Sequence, residues 1–353
     1  MKWAILPALA SISGGLAAAQ IVCYEGFEEY DAGSRVETGG NSSDGTGLDG
    51  GTGWGGPYNV SNAIKSLVRI EDRTASPTTY SNGEITIQGG VRALRFYDIA
   101  NGSFAVQRPL GTVFQAAAGD TLWFSILFRT NNASQLSNQD FFQIGFDDNP
   151  NASAGNPRVS IGANTTSGSF PADFRFFARS TTAVAASAFH ESVPIAAATT
   201  YLLVGSIFSS GGSTYDTVSL YVNPASAEDP GPPSASIVLN SGLATLSHSF
   251  IRTASLDNGD AYVLDEWRIG RDYGAVVQSL RNALRILPAS EPGGSLALRW
   301  PASLTGVVLE TSTTLEPGSW TEITGPFSLA ASESTFSIPM DPEIPRGFFR
   351  LRR

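Results

Sequence analysis

Residues able to do catalytic chemistry are few in this chain and far apart. It has two histidines, His190 and His248, and one cysteine, Cys23. Zinc sites draw on several thiolate or imidazole ligands, and three scattered residues do not supply them. Both histidines read as surface or edge residues. No Gly-x-Ser-x-Gly elbow is present, so the nucleophilic serine of a hydrolase has no setting. Retaining glycosidases need two carboxylates about 5–5.5 Å apart. The densest acidic group, Glu25, Glu28, Glu29 and Asp31, stands at the start of the chain's first β-segment and not within a strand. The segments able to line a groove carry Gln143, Arg175, Phe177, Arg179 and Tyr221, with hardly any acids. Sugar recognition uses aromatic faces and a few polar groups, for which Trp54, Tyr58, Phe177 and Tyr221 are candidates.

Such groups must be carried by strands, because helix signals are almost missing. Short β-branched and aromatic runs recur between Gly, Asn, Asp, Ser and Pro clusters, as in an all-β domain. In Thr121–Arg129, alternation puts Leu122, Phe124, Ile126 and Phe128 on one face, with Trp123 and Leu127 on the other. Bulk on both faces predicts a central strand of a sandwich. The runs 141–146, 173–179, 201–208, 217–222 and 262–269 read the same way. The glycine-rich stretch Gly39–Gly56 lacks the Lys-Ser/Thr ending of a phosphate loop and reads as a surface loop around Leu48 and Trp54. Asn223–Ser236 is a polar, proline-rich connection. Residues 276–282 form a connector, and 283–353 hold about six further short strands, the size of a fibronectin- or immunoglobulin-like sandwich. The close, Phe348 to Arg353, reads as a final strand, with a sorting signal as the alternative.

Export is the expectation from the first nineteen residues. Lys2 precedes a mostly apolar run, and Ala17-Ala18-Ala19 is a signal-peptidase pattern placing cleavage before Gln20. The run is shorter than the roughly 18–20 residues that span a bilayer. Val22 stands where lipidation of Cys23 would need a small residue. No later segment is long and apolar enough to span. With one cysteine there is no intramolecular disulfide. A net charge of −10 argues against nucleic acid, whose phosphates call for a basic surface.

Tyr24-Glu25-Gly26-Phe27, Gly50-Gly51-Thr52-Gly53-Trp54, Asp120-Thr121-Leu122-Trp123-Phe124-Ser125, Asp216–Pro224 and Leu264–Gly270 occur in this order. Together they resemble the concanavalin-like (laminin-G-like) jelly-roll domains of secreted planctomycete and verrucomicrobial proteins, over roughly residues 20–275. The tail, with Leu298-Arg299-Trp300-Pro301 and Phe348-Phe349-Arg350-Leu351-Arg352, is similar to a small C-terminal domain found on such proteins. The resemblance implies an all-β jelly-roll β-sandwich, a secreted or cell-surface location, and calcium at the rim where first and last strands meet. Glu25 and Asp265, with Glu266 beside it, are the ligands it implies. Asp147-Asp148-Asn149 and Asp257-Asn258-Asp260 are looser candidates that read better as turns. The Glu-x-Asp-x-x-Glu strand of jelly-roll glycosidases is missing. The sequence therefore reads as a non-catalytic binding module for extracellular polysaccharide or cell-surface glycan. Its alternatives are a hydrolase or lyase with an atypical acid pair, and a structural envelope protein.

Overall fold

The computed structural model describes residues 21–36, 48–60, 68–82, 84–97, 102–130, 141–149, 157–165, 174–181, 185–189, 195–256, 261–277, 284–287, 295–301, 308–314, 319–325, 328–329, 333–339 and 348–352. The expected signal peptide, His190 and Asp257-Asn258-Asp260 lie outside them. The first strands are β1 (Ile21–Glu25), β2 (Asn59–Val60), β3 (Val68–Asp72), β4 (Thr79–Ser81), β5 (Thr86–Gln88) and β6 (Arg92–Tyr97). Next come β7 (Gly102–Gln115), β8 (Thr121–Thr130), β9 (Phe141–Asp147), β10 (Val159–Thr165), β11 (Phe174–Thr181) and β12 (Ala185–Phe189). Then follow β13 (Thr200–Phe208), β14 (Thr217–Val222), β15 (Ala235–Val238), β16 (Thr245–Leu256), β17 (Ala261–Gly270) and the helix α1 (Tyr273–Val277).

Two antiparallel sheets pack face to face. The first runs β15-β14-β13-β8-β17-β6-β3, and the second β12-β11-β10-β9-β16-β7-β2. One edge of β17 is shared: Ala261–Leu264 pair with β6, and Trp267–Gly270 pair with β1. Between them the ladder to β8 slips, and Glu266 adopts φ 54°, so a bulge re-aims the strand. The core between the sheets holds Phe124, Phe128, Phe142, Phe146, Phe176, Tyr262 and Trp267, among others.

The alternation in β8 is realised as the sequence implies. Leu122, Phe124, Ile126 and Phe128 enter the inter-sheet core. Leu127 and Trp123 join a second cluster outside the first sheet, with Tyr80, Ile85 and Ile87 of the β4–β5 hairpin region and Tyr273, Val276 and Val277 of α1. The Ser125 hydroxyl donates to the Val276 carbonyl. Hairpin and helix thus cover the first sheet, which is why its strands are apolar on both faces. α1 spans residue 275 and packs on the sandwich through Tyr273, Val276 and Val277.

The tail forms β18 (Arg285–Leu287), β19 (Ser295–Pro301), β20 (Val308–Ser312), β21 (Thr321–Glu322), β22 (Ser328–Leu329), β23 (Glu333–Pro339) and β24 (Phe348–Arg352). Two small sheets, β18-β19-β23-β22 and β21-β20-β24, enclose Leu298, Trp300 and Leu309 as a second, small β-sandwich. The sequence misses β22, two residues too short to show alternation. Among the described residues, no helix is long and apolar enough to cross a membrane.

Candidate functional site

The two carboxylates expected to meet at the rim are turned to opposite faces of the first sheet. Glu25 pairs in register with Trp267, a core residue, and points inward as Cys23 does. Asp265 pairs with Leu127, whose side chain lies in the outer cluster. Its carboxylate packs against Gly89, where a Cβ would come within 2.0 Å of Oδ2, and its Oδ1 accepts the Glu266 amide at 2.8 Å. The bulge at Glu266 produces this reversal, and a linear sequence gives no warning of it.

Glu25 is also fully committed. It accepts the Phe27 amide at 2.9 Å, the Tyr30 hydroxyl at 2.9 Å and Arg108 Nη1 at 2.8 Å. Burial, then the Glu25 charge, push the Tyr30 phenol up, so it remains a donor. Arg108 in turn donates to the carbonyls of Gly56 and Gly50 and to Asp49, and its guanidinium lies between the rings of Trp54 and Tyr58. Calcium wants six to eight oxygens. A carboxylate held by a guanidinium does not fit that shell, and Arg108 already occupies the place of the cation. Among the described residues, no group of three or more His, Cys, Asp or Glu is placed to hold a metal. Asp147 likewise makes a turn, accepting the amides of Asp148 and Asn149 and the side chain of Arg158.

The outer face of the second sheet is a different kind of place. Its inward positions, Ile144, Ile161, Ala178 and Ile251, fill the core, so the alternate positions face out. One outward row runs Arg252, Gln143, Gly162, Phe177 across β16, β9, β10 and β11. The next runs Phe250, Gly145, Ser160, Arg179, with Gln107 of β7 beyond Phe250. A third holds Phe141, Asn164 and Arg175. Phe177 folds over Gly162, where a Cβ would stand 2.8 Å from its ring. Phe141 and Phe177 stack with centroids 5.8 Å apart, and Arg179 lies over both, at 5.2 and 4.5 Å. Arg252 reaches the same Phe141 ring at 5.7 Å.

Four polar atoms on this face are buried without a hydrogen-bond partner among the described residues: Gln107 Oε1, Gln143 Oε1, Ser160 Oγ and, at the end of β11, Thr181 Oγ1. Gln143 is 0% exposed, and its amide nitrogen makes one long contact, 3.4 Å, to the Pro157 carbonyl. Each such buried group costs about 1–3 kcal/mol if left dry and unpaired. The carboxylate that the register puts here is Asp147, and it is taken by Arg158. Burial raises it, but the hydrogen bonds and charge of Arg158 outweigh this and hold it below the usual range.

Of the aromatics expected to greet a sugar ring, Trp54 and Tyr58 hold Arg108, and Phe177 holds Arg179. Tyr221 leans on Trp123 outside the first sheet. A π face that already carries a cation offers no platform. His248 is not at an edge: it sits on β16, between β7 and β9, where burial lowers its pKa and Asp147 opposes this. Of the residues that the sequence reads as able to line a groove, Gln143, Arg175, Phe177 and Arg179 share this outward face. Gln107, Ser160 and Arg252 were missed, because only the strand order brings them alongside.

Two packed antiparallel sheets with these crossovers define a jelly-roll β-sandwich. No family model matches the chain. No curated protein matches it either. Among solved structures, the globular domain of T. cruzi calreticulin is similar at 12% identity, covering 61% of this chain and 84% of that one, with a TM-score of 0.38. Alginate lyase AlyC3 gives 11% identity, 54% and 80% coverage and a TM-score of 0.37. Peanut lectin gives 12%, 60% and 96%, and 0.33. Values this low assign no activity, so function must be argued from the residues.

Proposed function

We propose that the protein is an extracellular, non-catalytic carbohydrate-binding module whose site is the outer face of the second sheet around Gln143. The observation that carries this reading is the outward face that brings Phe141, Phe177, Arg175, Arg179 and Arg252 together over Gln143. Polar groups set among aromatic rings suit the hydroxyls and ring faces of a sugar. The leader pattern supports the location. The commitment of Asp147 to Arg158 leaves no acid pair on the face among its described residues, which favours binding over hydrolysis.

Retention on a panel of immobilised neutral and acidic polysaccharides tests it. Retention that is lost on Gln143→Leu, without release of shortened chains, is the expected result. Reproducible cleavage of a retained polymer would make the protein an enzyme. Failure to retain any polymer would favour the structural reading.

A further inference from the structure

We infer that the ligand at this face is an anionic polysaccharide, its carboxylate or sulfate groups held by Arg179 and Arg252. This deepens the reading of the face as a glycan site and rests on it. The two arginines start from strands β11 and β16, which have two strands between them, roughly 14 Å apart at about 4.8 Å per step. Their guanidinium groups nevertheless converge over one ring, each within 6 Å of the Phe141 centroid. Arg175 adds a third cation on the same face, next to Phe177 in the outward alternation of β11.

The electrostatics agree with the geometry. Burial, and then the charge of Arg252, pull Arg179 below the usual guanidinium range, and burial does the same to Arg252. A guanidinium keeps its proton regardless. What such a shift records is therefore first the cost of burial and, at Arg179, the nearness of Arg252, and an anion bound beside them would offset both. Guanidinium forks match carboxylate and sulfate oxygens with paired hydrogen bonds. Gln143 and Ser160 lie beneath them as cross-strand neighbours of Arg252 and Arg179, so the part-exposed groups that face a ligand are the three arginines and the rings they cover. Guanidinium groups beside aromatic faces suit an acidic sugar better than a neutral one.

The test pairs each polymer with its neutralised form. The full chain without its leader is run on affinity gels containing polygalacturonate or its methyl ester, and carrageenan or its desulfated form. The expected result is that at least one anionic polymer retards the protein and its neutral form binds at least about tenfold more weakly. Whether carboxylate or sulfate is bound decides between the two sources. Retardation should fall as salt rises from about 50 to about 500 mM, since the contacts are part-exposed charge pairs. Arg252→Gln should weaken binding about tenfold, while Arg350→Gln in the tail leaves it unchanged.

Equal binding of charged and neutral forms overturns the anionic inference and leaves the glycan site standing. So does retention of neutral glycans alone, or a folded Arg252→Gln that binds as before. No retention by any polymer removes both. If Arg252→Gln does not fold, the salt series on the unaltered protein still decides.

Discussion

At the rim and on the outer face of the second sheet an arginine lies over two aromatic rings, and the two sites are finished differently. At the rim, Arg108 lies 4.7 Å from the Trp54 ring and 4.5 Å from Tyr58, and each of its nitrogens has an acceptor. On the outer face, Arg179 lies 4.5 Å over Phe177, but its polar neighbours Gln107, Gln143 and Ser160 end without partners among the described residues. The local device is the same; the degree of closure is not. A closed network is explained by folding alone. Single unpaired atoms occur elsewhere, Tyr58 Oη at the rim and Thr130 Oγ1 among them, so what sets the outer face apart is that several gather in one place.

Breaking the closed site should have the largest effect. Arg108→Leu leaves Glu25 buried with its charge uncompensated, at 1% exposure. The expected loss is about 3–5 kcal/mol in equilibrium denaturation, without a change in glycan affinity where the variant is folded. A loss under about 1 kcal/mol would mean that the rim is as open as the outer face, and the contrast would fail.

Asp147 with Arg158 is a closed pair at the end of the open face, and its pH behaviour separates the two cases. The folded-state pKa is held below the ordinary carboxylate value. Its stabilisation is therefore fully present above the unfolded pKa, about 3.9, and is lost as pH falls through the folded value. Asp147→Asn should melt earlier than the parent at neutral pH, with the two curves converging in acid below pH of about 4. A gap that persists unchanged in acid would assign the effect to packing.

The smallest expected stability change belongs to the open site, and its sign sharpens the comparison. Gln143→Leu replaces an unsatisfied amide by an apolar group of similar volume. Its melting temperature should stay level or rise, by the equivalent of about 1 kcal/mol, while polysaccharide retention is lost. A marked loss of stability would show that Gln143 is a structural hydrogen-bonding residue and not a recognition residue.

How much of this the sequence could disclose depends on whether the signal is local. The strand Thr121–Arg129 declares both its faces, because alternation is a property of neighbours. Gln143 is readable too, as a polar residue in the outward register of Phe-Phe-Gln-Ile-Gly-Phe. Arg252, over a hundred residues later, is beside it only because β16 inserts between β9 and β7. Nothing short-range encodes that insertion. Glu25 and Asp265 fail for the converse reason: their strands do lie close, β1 beside β17, but one bulge turns the second carboxylate to the other face. Pairing reads residues into rows, and a single extra residue reverses a row.

The position of β17 also bears on how the chain assembles. It lies between β8 on one edge and both β1 and β6 on the other, so the first sheet is joined by a strand that begins at Ala261. The opening strand, Ile21–Glu25, is bridged through Tyr24 to Thr52, but its strand neighbour in the sheet is that distant segment. Closing a loop of this length precedes any reward from the contacts it permits, and folds dominated by such distant pairings are slow. While the chain waits, β8 and β9 are apolar strands with open edges. The β4–β5 hairpin and α1, which later cap the first sheet, flank this late closure: one is a local pairing, the other follows β17 directly. The first sheet is thus complete only with Ala261–Gly270 in place, and β1 joins it across the longest sequence separation in that sheet.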